Sequence, residues 1–194
     1  MNYLAHLFLA QATVESRVGN LLGDFAKGVV VAQLPKPVKN GLLNHRAVDR
    51  FTDNHTVVKQ LKCLVGADRK RFAGIMLDMV FDHYLIKHWH HFSHRSFAAS
   101  CDIYYQALDD GQVLMPPAMK HVTQRVIKQQ WFTSYQTLEG IGFALDRIAD
   151  RIRFDHAFYG SVEELITHQN EIESGFLAFF PELLQHVEAI KLES

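Results

Sequence analysis

The chain has 194 residues, 48% of them apolar and 21% charged, with only 11 Gly and 5 Pro; this excludes a disordered tail, a collagenous fibre and a loop-dominated chain. Its 20 basic and 21 acidic residues leave a formal net charge of −1, so no overall field draws the protein to nucleic acid. A chain of this length buries roughly 70% of its unfolded surface without metal or disulfide staples, which leaves any metal site free to be catalytic.

Apolar residues recur at helical spacing along almost the whole chain. Leu4, Leu7 and Phe8 mark a short first helix, and Ser16 is placed to cap a second that runs to about Val31. Pro35 and Pro37 break the chain; Pro37 then suits the first turn of a third helix carrying Val38, Leu42, Leu43, Val48 and Phe51. A helix from His55 to about Val65 follows, then a longer one from Asp68 to about His91. Further helices are expected near 96–109, 117–130, 134–149 and 161–191. Ser161 and Glu164 have the spacing of a capping box for the last, and Pro181 is expected to kink or split it. The expected architecture is all-α, one domain over residues 1–194, a bundle of about eight helices.

Cys63 and Cys101 support neither a disulfide framework nor a four-thiolate zinc site and read as reduced, buried thiols of a cytosolic protein. The first apolar run, residues 3–10, is too short to span a bilayer and lacks the marks of a signal peptide. The expectation is a cytoplasmic protein with no membrane and no nucleic-acid partner, its oligomeric state unknown.

The unusual number is 12 histidines. Three segments place polar, ligand-capable residues one helical turn apart: Asn20 and Asp24; His45 and Asp49, with Asp53 one turn on; Asp78 and Asp82, followed by His83. Residues at i and i+4 share a helix face, so each pair presents two donors in one direction. Convergence of such pairs from facing helices suits a divalent cation, and histidine beside carboxylate suits Mn, Fe, Zn or Mg rather than Ca. The bland alternative is that these aspartates pair with Arg46, Arg50, Arg69 or Arg71.

The segments MNYLAHL, GNLLGDF, HRAVDRFTDN and LDMVFDHYL, in this order, closely resemble the acyl carrier protein phosphodiesterases, helical enzymes related to the HD metal-dependent phosphohydrolases. The resemblance is concentrated before residue 91. It implies an HD-phosphohydrolase-like fold and hydrolysis of the phosphodiester joining 4′-phosphopantetheine to a serine of holo acyl carrier protein. It further implies a divalent metal, Mn²⁺ foremost or Mg²⁺. In the HD enzymes His precedes Asp, whereas here Asp82 precedes His83.

Candidate metal ligands are therefore Asp24, His45, Asp49, Asp78, Asp82 and His83, with either Asp82 or His83 orienting rather than ligating because they are rotated about 100° apart on a helix. Asn20 suits a hydrogen bond behind the ligands or to the attacking water. Arg46 has the planar fork for a phosphate, and Asp53 suits fixing a histidine tautomer. His6, His45 and His83 are alternatives for the proton donor to the leaving serine, His6 being equally readable as a core histidine. His88, His90, His91 and His94 form a denser cluster, but one without a carboxylate and at an expected helix end, where imidazoles interact well with the dipole alone. Arg69-Lys70-Arg71, Arg125 with Lys128, and Arg147-Arg151-Arg153 are basic runs that suit an acidic carrier protein or simply face solvent. Two competing readings are a metal phosphohydrolase of a small nucleotide or other phosphoester and a non-catalytic binding module.

Overall fold

A computed structural model describes residues 1–193, and twelve α-helices and no strand are found among them. The all-α expectation holds. Helix α1 (Tyr3–Leu9) is short and nearly all buried, and α2 (Val14–Leu22) is capped by Thr13, whose hydroxyl accepts from the Ser16 backbone N–H. Ser16 is thus inside the helix rather than its cap. The expected continuation to Val31 fails: the chain tightens into a 3-10 turn at Gly23–Phe25 and then turns at Gly28, whose φ of 82° is open to glycine and costly for other residues. Val29 to Val31 form neither strand nor α-helix, and Val30 is exposed.

Helix α3 (Lys36–Asn54) starts on Pro37, as expected, and lays Val38, Leu42 and Val48 fully into the core. α2 and α3 pack at unusually close range. A Cβ on Gly19 would sit 2.3 Å from the Val38 carbonyl oxygen, and one on Gly41 would sit 2.6 Å from that of Ser16. Only a residue without a side chain fits at either place. Asn44 Nδ2 donates to Asn20 Oδ1 at 2.9 Å across the same crossing, so both buried amides are satisfied.

Helix α4 (Thr56–Lys62) stops short of Val65. The expected start at Asp68 is a 3-10 turn, Ala67–Phe72, because Arg69 reaches back to the carbonyls of Ala157 and Tyr159 and to Glu164 and holds that segment to the far end of the chain. Helix α5 (Ala73–Lys87) then runs through the centre; ten of its fifteen residues are buried. A helix apolar on all sides belongs in the interior, and α5 touches α1, α4, α10, α11 and α12. The chain breaks at His88 before α6 (Trp89–Phe92).

The remaining helices are α7 (Phe97–Asp110), α8 (Pro117–Lys128), α9 (Trp131–Ser134), α10 (Leu138–Ala149), α11 (Val162–Thr167) and α12 (Gln169–Ile190). The expected last helix is broken at His168, not at Pro181, which lies inside α12. Phe176, Phe179, Phe180 and Leu183 of α12 are fully buried; at about 1.5–3 kcal/mol each they outweigh the roughly 3 kcal/mol cost of an interior proline. The capping box does not form. Ser161 Oγ is buried without a partner, and Glu164 instead accepts from the Gly66 backbone N–H at 2.9 Å and from Arg69. Cys101 is buried but Cys63 is exposed, contrary to expectation; both are free. No described helix is long and apolar enough to cross a membrane.

Asp82 has a role the spacing did not show. Its Oδ2 accepts from the Leu4 N–H at 3.1 Å and its Oδ1 from the Ala5 N–H at 3.0 Å, so the carboxylate caps the open first turn of α1. Burial pushes this carboxyl up to about 7 although the two N–H groups act the other way. Replacing Asp82 with Ala orphans two buried donors and is expected to cost about 2–4 kcal/mol. That corresponds to a Tm drop of roughly 5–12 °C in a chain of this size, measured by calorimetry. An unchanged Tm would show that this cap does not hold α1.

Candidate metal centre

His45 is the best-anchored member of the site. It lies on the α3 face that meets α2, where its Nδ1 stands 2.7 Å from the Asn20 carbonyl oxygen. That bond places the proton on Nδ1 and turns the Nε2 lone pair outward, the tautomer a metal-binding histidine needs. Nε2 is 3.0 Å from Asp49 Oδ2, one helical turn along. Gly23 forms the other wall. A Cβ at Gly23 would fall 1.9 Å from the His45 ring, so the imidazole occupies the space a side chain would fill.

His6 comes from α1 and stacks on His45, with ring centroids 4.0 Å apart and planes inclined by 22°. It is fully buried. Its Nε2 lies 3.2 Å from Asp49 Oδ1 but without hydrogen-bond geometry, so Asp49 is an electrostatic neighbour and neither ring nitrogen makes a hydrogen bond. Burial lowers the ring to about 3, against the pull of Asp49, so His6 is neutral. A neutral imidazole with both nitrogens unpartnered in the interior is costly unless something binds it.

The donor atoms of His6, His45 and Asp49 all lie within 4.8 Å of one another, the one such group among the described residues. Around them stands an excess of negative charge. Asp78, from α5, and Asp49 both reach the α-ammonium of Met1, at 3.0 and 3.2 Å, so a cation already sits between the two carboxylates. Burial raises the Asp78 carboxyl, opposed by that ammonium; it also raises Asp24, opposed by His45 and reinforced by Asp49. Burial would raise Asp49 as well, but His45, His6 and the ammonium hold it well below the usual carboxylate range. For His45, burial is overcome by Asp49 and then Asp24, which raise it. Two imidazoles and a carboxylate with their donor atoms this close, beside further carboxylates, fit a divalent cation.

The structure sorts the sequence candidates. It brings the donor atoms of His6, His45 and Asp49 together, with Asp78 sharing the Met1 ammonium with Asp49 and Asp24 within electrostatic reach of His45 and Asp49. Asp82, taken up by α1, and His83, whose Nδ1 bonds the Tyr135 carbonyl oxygen at 2.9 Å, lie outside the group. The side chain of Asn20 is committed to Asn44, Ser16 and Glu193, and the contribution of this residue to the site is its backbone carbonyl. Asp53 is exposed and paired with Lys62 at 2.8 Å rather than with a histidine. Arg46 is exposed and makes no ion pair among the described residues. His88 is held by Glu173 at 2.6 Å, while His90, His91 and His94 are exposed and form no metal group. Gly23 lies within the GNLLGDF segment, but only its proximity to His45 in space reveals its part in the site.

The chain matches the family model described as acyl carrier protein phosphodiesterase over residues 1–183. It is 31% identical over 186 residues to the acyl carrier protein phosphodiesterase of Serratia proteamaculans (strain 568), covering 95% of this chain and 96% of that one. The protein of the same name from Enterobacter sp. (strain 638) is 32% identical over 189 residues, covering 95% and 96%, and that of Klebsiella pneumoniae (strain 342) is 30% identical over 192, covering 97% and 98%. No solved structure matches. The motif order that carries His6, Asp24, His45, Asp49 and Asp78 thus extends over a match of nearly the full chain, and the chain belongs to the acyl carrier protein phosphodiesterase family.

Proposed function

We propose that this protein hydrolyses the phosphodiester joining 4′-phosphopantetheine to the serine of holo acyl carrier protein, giving apo carrier protein and 4′-phosphopantetheine. The observation that carries the reading is the buried, neutral and unpartnered His6 converging with His45 and Asp49 in a chain of this family. These three residues would hold Mn²⁺ or Mg²⁺, with Asp24 and Asp78 as the further carboxylates facing the same point. When bound, such a cation supplies a Lewis acid that acidifies a water and offsets charge on the phosphoryl oxygens.

The chain's own residues prepare that chemistry. The Asn20 carbonyl fixes the His45 tautomer, Asp82 holds the helix that carries His6, and Gly23 leaves room for the imidazole. Arg46, next to His45 and in no ion pair among the described residues, is the group we assign to a phosphoryl oxygen. The histidine cluster at 88–94 and the ion-paired Asp53 take no part.

His6→Ala and Asp49→Asn should each lower Mn²⁺-dependent release of 4′-phosphopantetheine by at least about 100-fold while the helical circular dichroism signal persists. Asp53→Ala should stay within about twofold, its exposed pair with Lys62 contributing little. Mass spectrometry of holo carrier protein after incubation reads the outcome directly. Near-normal turnover in His6→Ala would sink the assignment, and turnover of a small phosphoester with none of the carrier would favour the broader phosphohydrolase reading.

Gly23→Ala tests the shape of the site separately from its ligands. Its methyl group must displace the His45 ring, so Mn²⁺ affinity should fall about 10–100-fold with little change in Tm. Titration calorimetry that finds parental affinity would show that the ring orientation is not what binds the metal.

A further inference from the structure

A half-enclosed cavity of about 210 Å³ opens between α8, α10 and the start of the chain. Met79 and Tyr135 are buried at its floor, Trp131, Ala144 and Ile148 form half-buried walls, and Phe143 stands exposed at its lip. Three arginines also line it: Arg125, Arg147 and Arg151. None has an acidic partner among the described residues. Arg125 lies over the Trp131 ring and Arg147 over that of Phe143, each at 5.8 Å. The nearby acids are engaged elsewhere, Asp146 with the Gly160 N–H and Asp150 with the Tyr159 hydroxyl. By contrast Arg69 is tied into the fold and Arg71 lies 4.0 Å over the Phe154 ring, so the basic run at 69–71 is not a free patch.

The cavity lies beside the candidate metal centre. Met79 follows Asp78, and Asn2 follows Met1, whose ammonium bridges Asp49 and Asp78; Asn2 Nδ2 meets Met79 Sδ at 3.1 Å. Tyr3 feels both Asp24 on one side and Arg151 on the other. Residues next in sequence to the cluster thus line an apolar recess that also carries three arginines.

We infer that this cavity receives the pantetheine arm of the substrate, with Arg147 and Arg151 at its lip meeting the acidic carrier; this rests on the reading proposed above. The arm is a slender, uncharged chain with a gem-dimethyl group, two amides and a terminal thiol. It needs apolar walls with a few hydrogen-bonding groups, here Asn2, Gln129 and Ser134. The carrier needs positive charge around the entry, which acts on encounter and is screened by salt.

The test uses free pantetheine, which has no phosphate and no carrier. In the unmodified protein its gem-dimethyl protons should show intermolecular NOEs to the Trp131 and Tyr135 rings. Ala144→Trp, which fills the recess, should abolish them and raise KM for holo carrier at least about tenfold, leaving Mn²⁺ affinity intact. Arg147→Glu with Arg151→Glu should raise KM and flatten its salt dependence while the NOEs remain. Absence of NOEs in the parent overturns the inference, as does an unchanged KM in Ala144→Trp. NOEs to these rings in a protein that fails to cleave holo carrier would uphold the cavity and defeat the proposed reaction. Cleavage by a parent that shows no NOEs would do the reverse.

Discussion

The candidate metal centre depends on how closely α2 and α3 approach. Gly19 and Gly41 remove the two side chains that would hold these helices apart; a Cβ on either would stand within 3.0 Å of the opposing backbone. Only at that separation does the Asn20 carbonyl reach His45 Nδ1 at 2.7 Å and Asn44 reach Asn20. The bond to Nδ1 selects the tautomer and aims Nε2 at Asp49. Because packed interiors do not deform continuously, a fraction of an ångström at the crossing becomes a misplaced ligand at the site. The glycines act at a distance through geometry rather than by touching the chemistry.

Two aspartates one turn apart on α5 meet different fates because different elements cover them. Asp78 faces the cluster and shares the Met1 ammonium with Asp49. Asp82 faces the bare N–H groups of α1, and both its oxygens are spent there. Asp82 nonetheless serves the site, since α1 carries His6. The cap and the cluster meet on consecutive residues of one short helix, fixed to α5 through Leu4 and Ala5 and to α3 through the ring stack of His6 on His45.

The electrostatics of the centre are those of a site prepared for positive charge. Burial disfavours every ionised form, yet Asp24, Asp49 and Asp78 are gathered around two imidazoles, one of them neutral and without hydrogen bonds. Among the described residues none of these aspartates pairs with an arginine: Arg46 makes no ion pair, and Arg69 binds Glu164. The Met1 ammonium, paired with both Asp49 and Asp78, shows how positive charge at this place offsets the gathered carboxylates.

Much was legible from local pattern. Helical periodicity and the rarity of β-alternation determined the all-α class, Pro37 marked the start of α3, and the four-residue spacing of His45 and Asp49 was sufficient to place both on one face, since these depend on residues within a turn or two of each other. Helix ends were less legible. The 3-10 turns at 23–25 and 67–72, the break at His168 and the unbroken passage of Pro181 follow from tertiary contacts such as those of Arg69 and the buried phenylalanines of α12, which outweigh local propensity. Spacing also could not tell Asp78 from Asp82, or a core His6 from a ligand, because an i, i+4 pair defines a direction and not what lies along it. His6, His45 and Asp49 meet only when α1 and α3 are packed at the separation that Gly19, Gly23 and Gly41 allow, and that distance is a property of the fold alone.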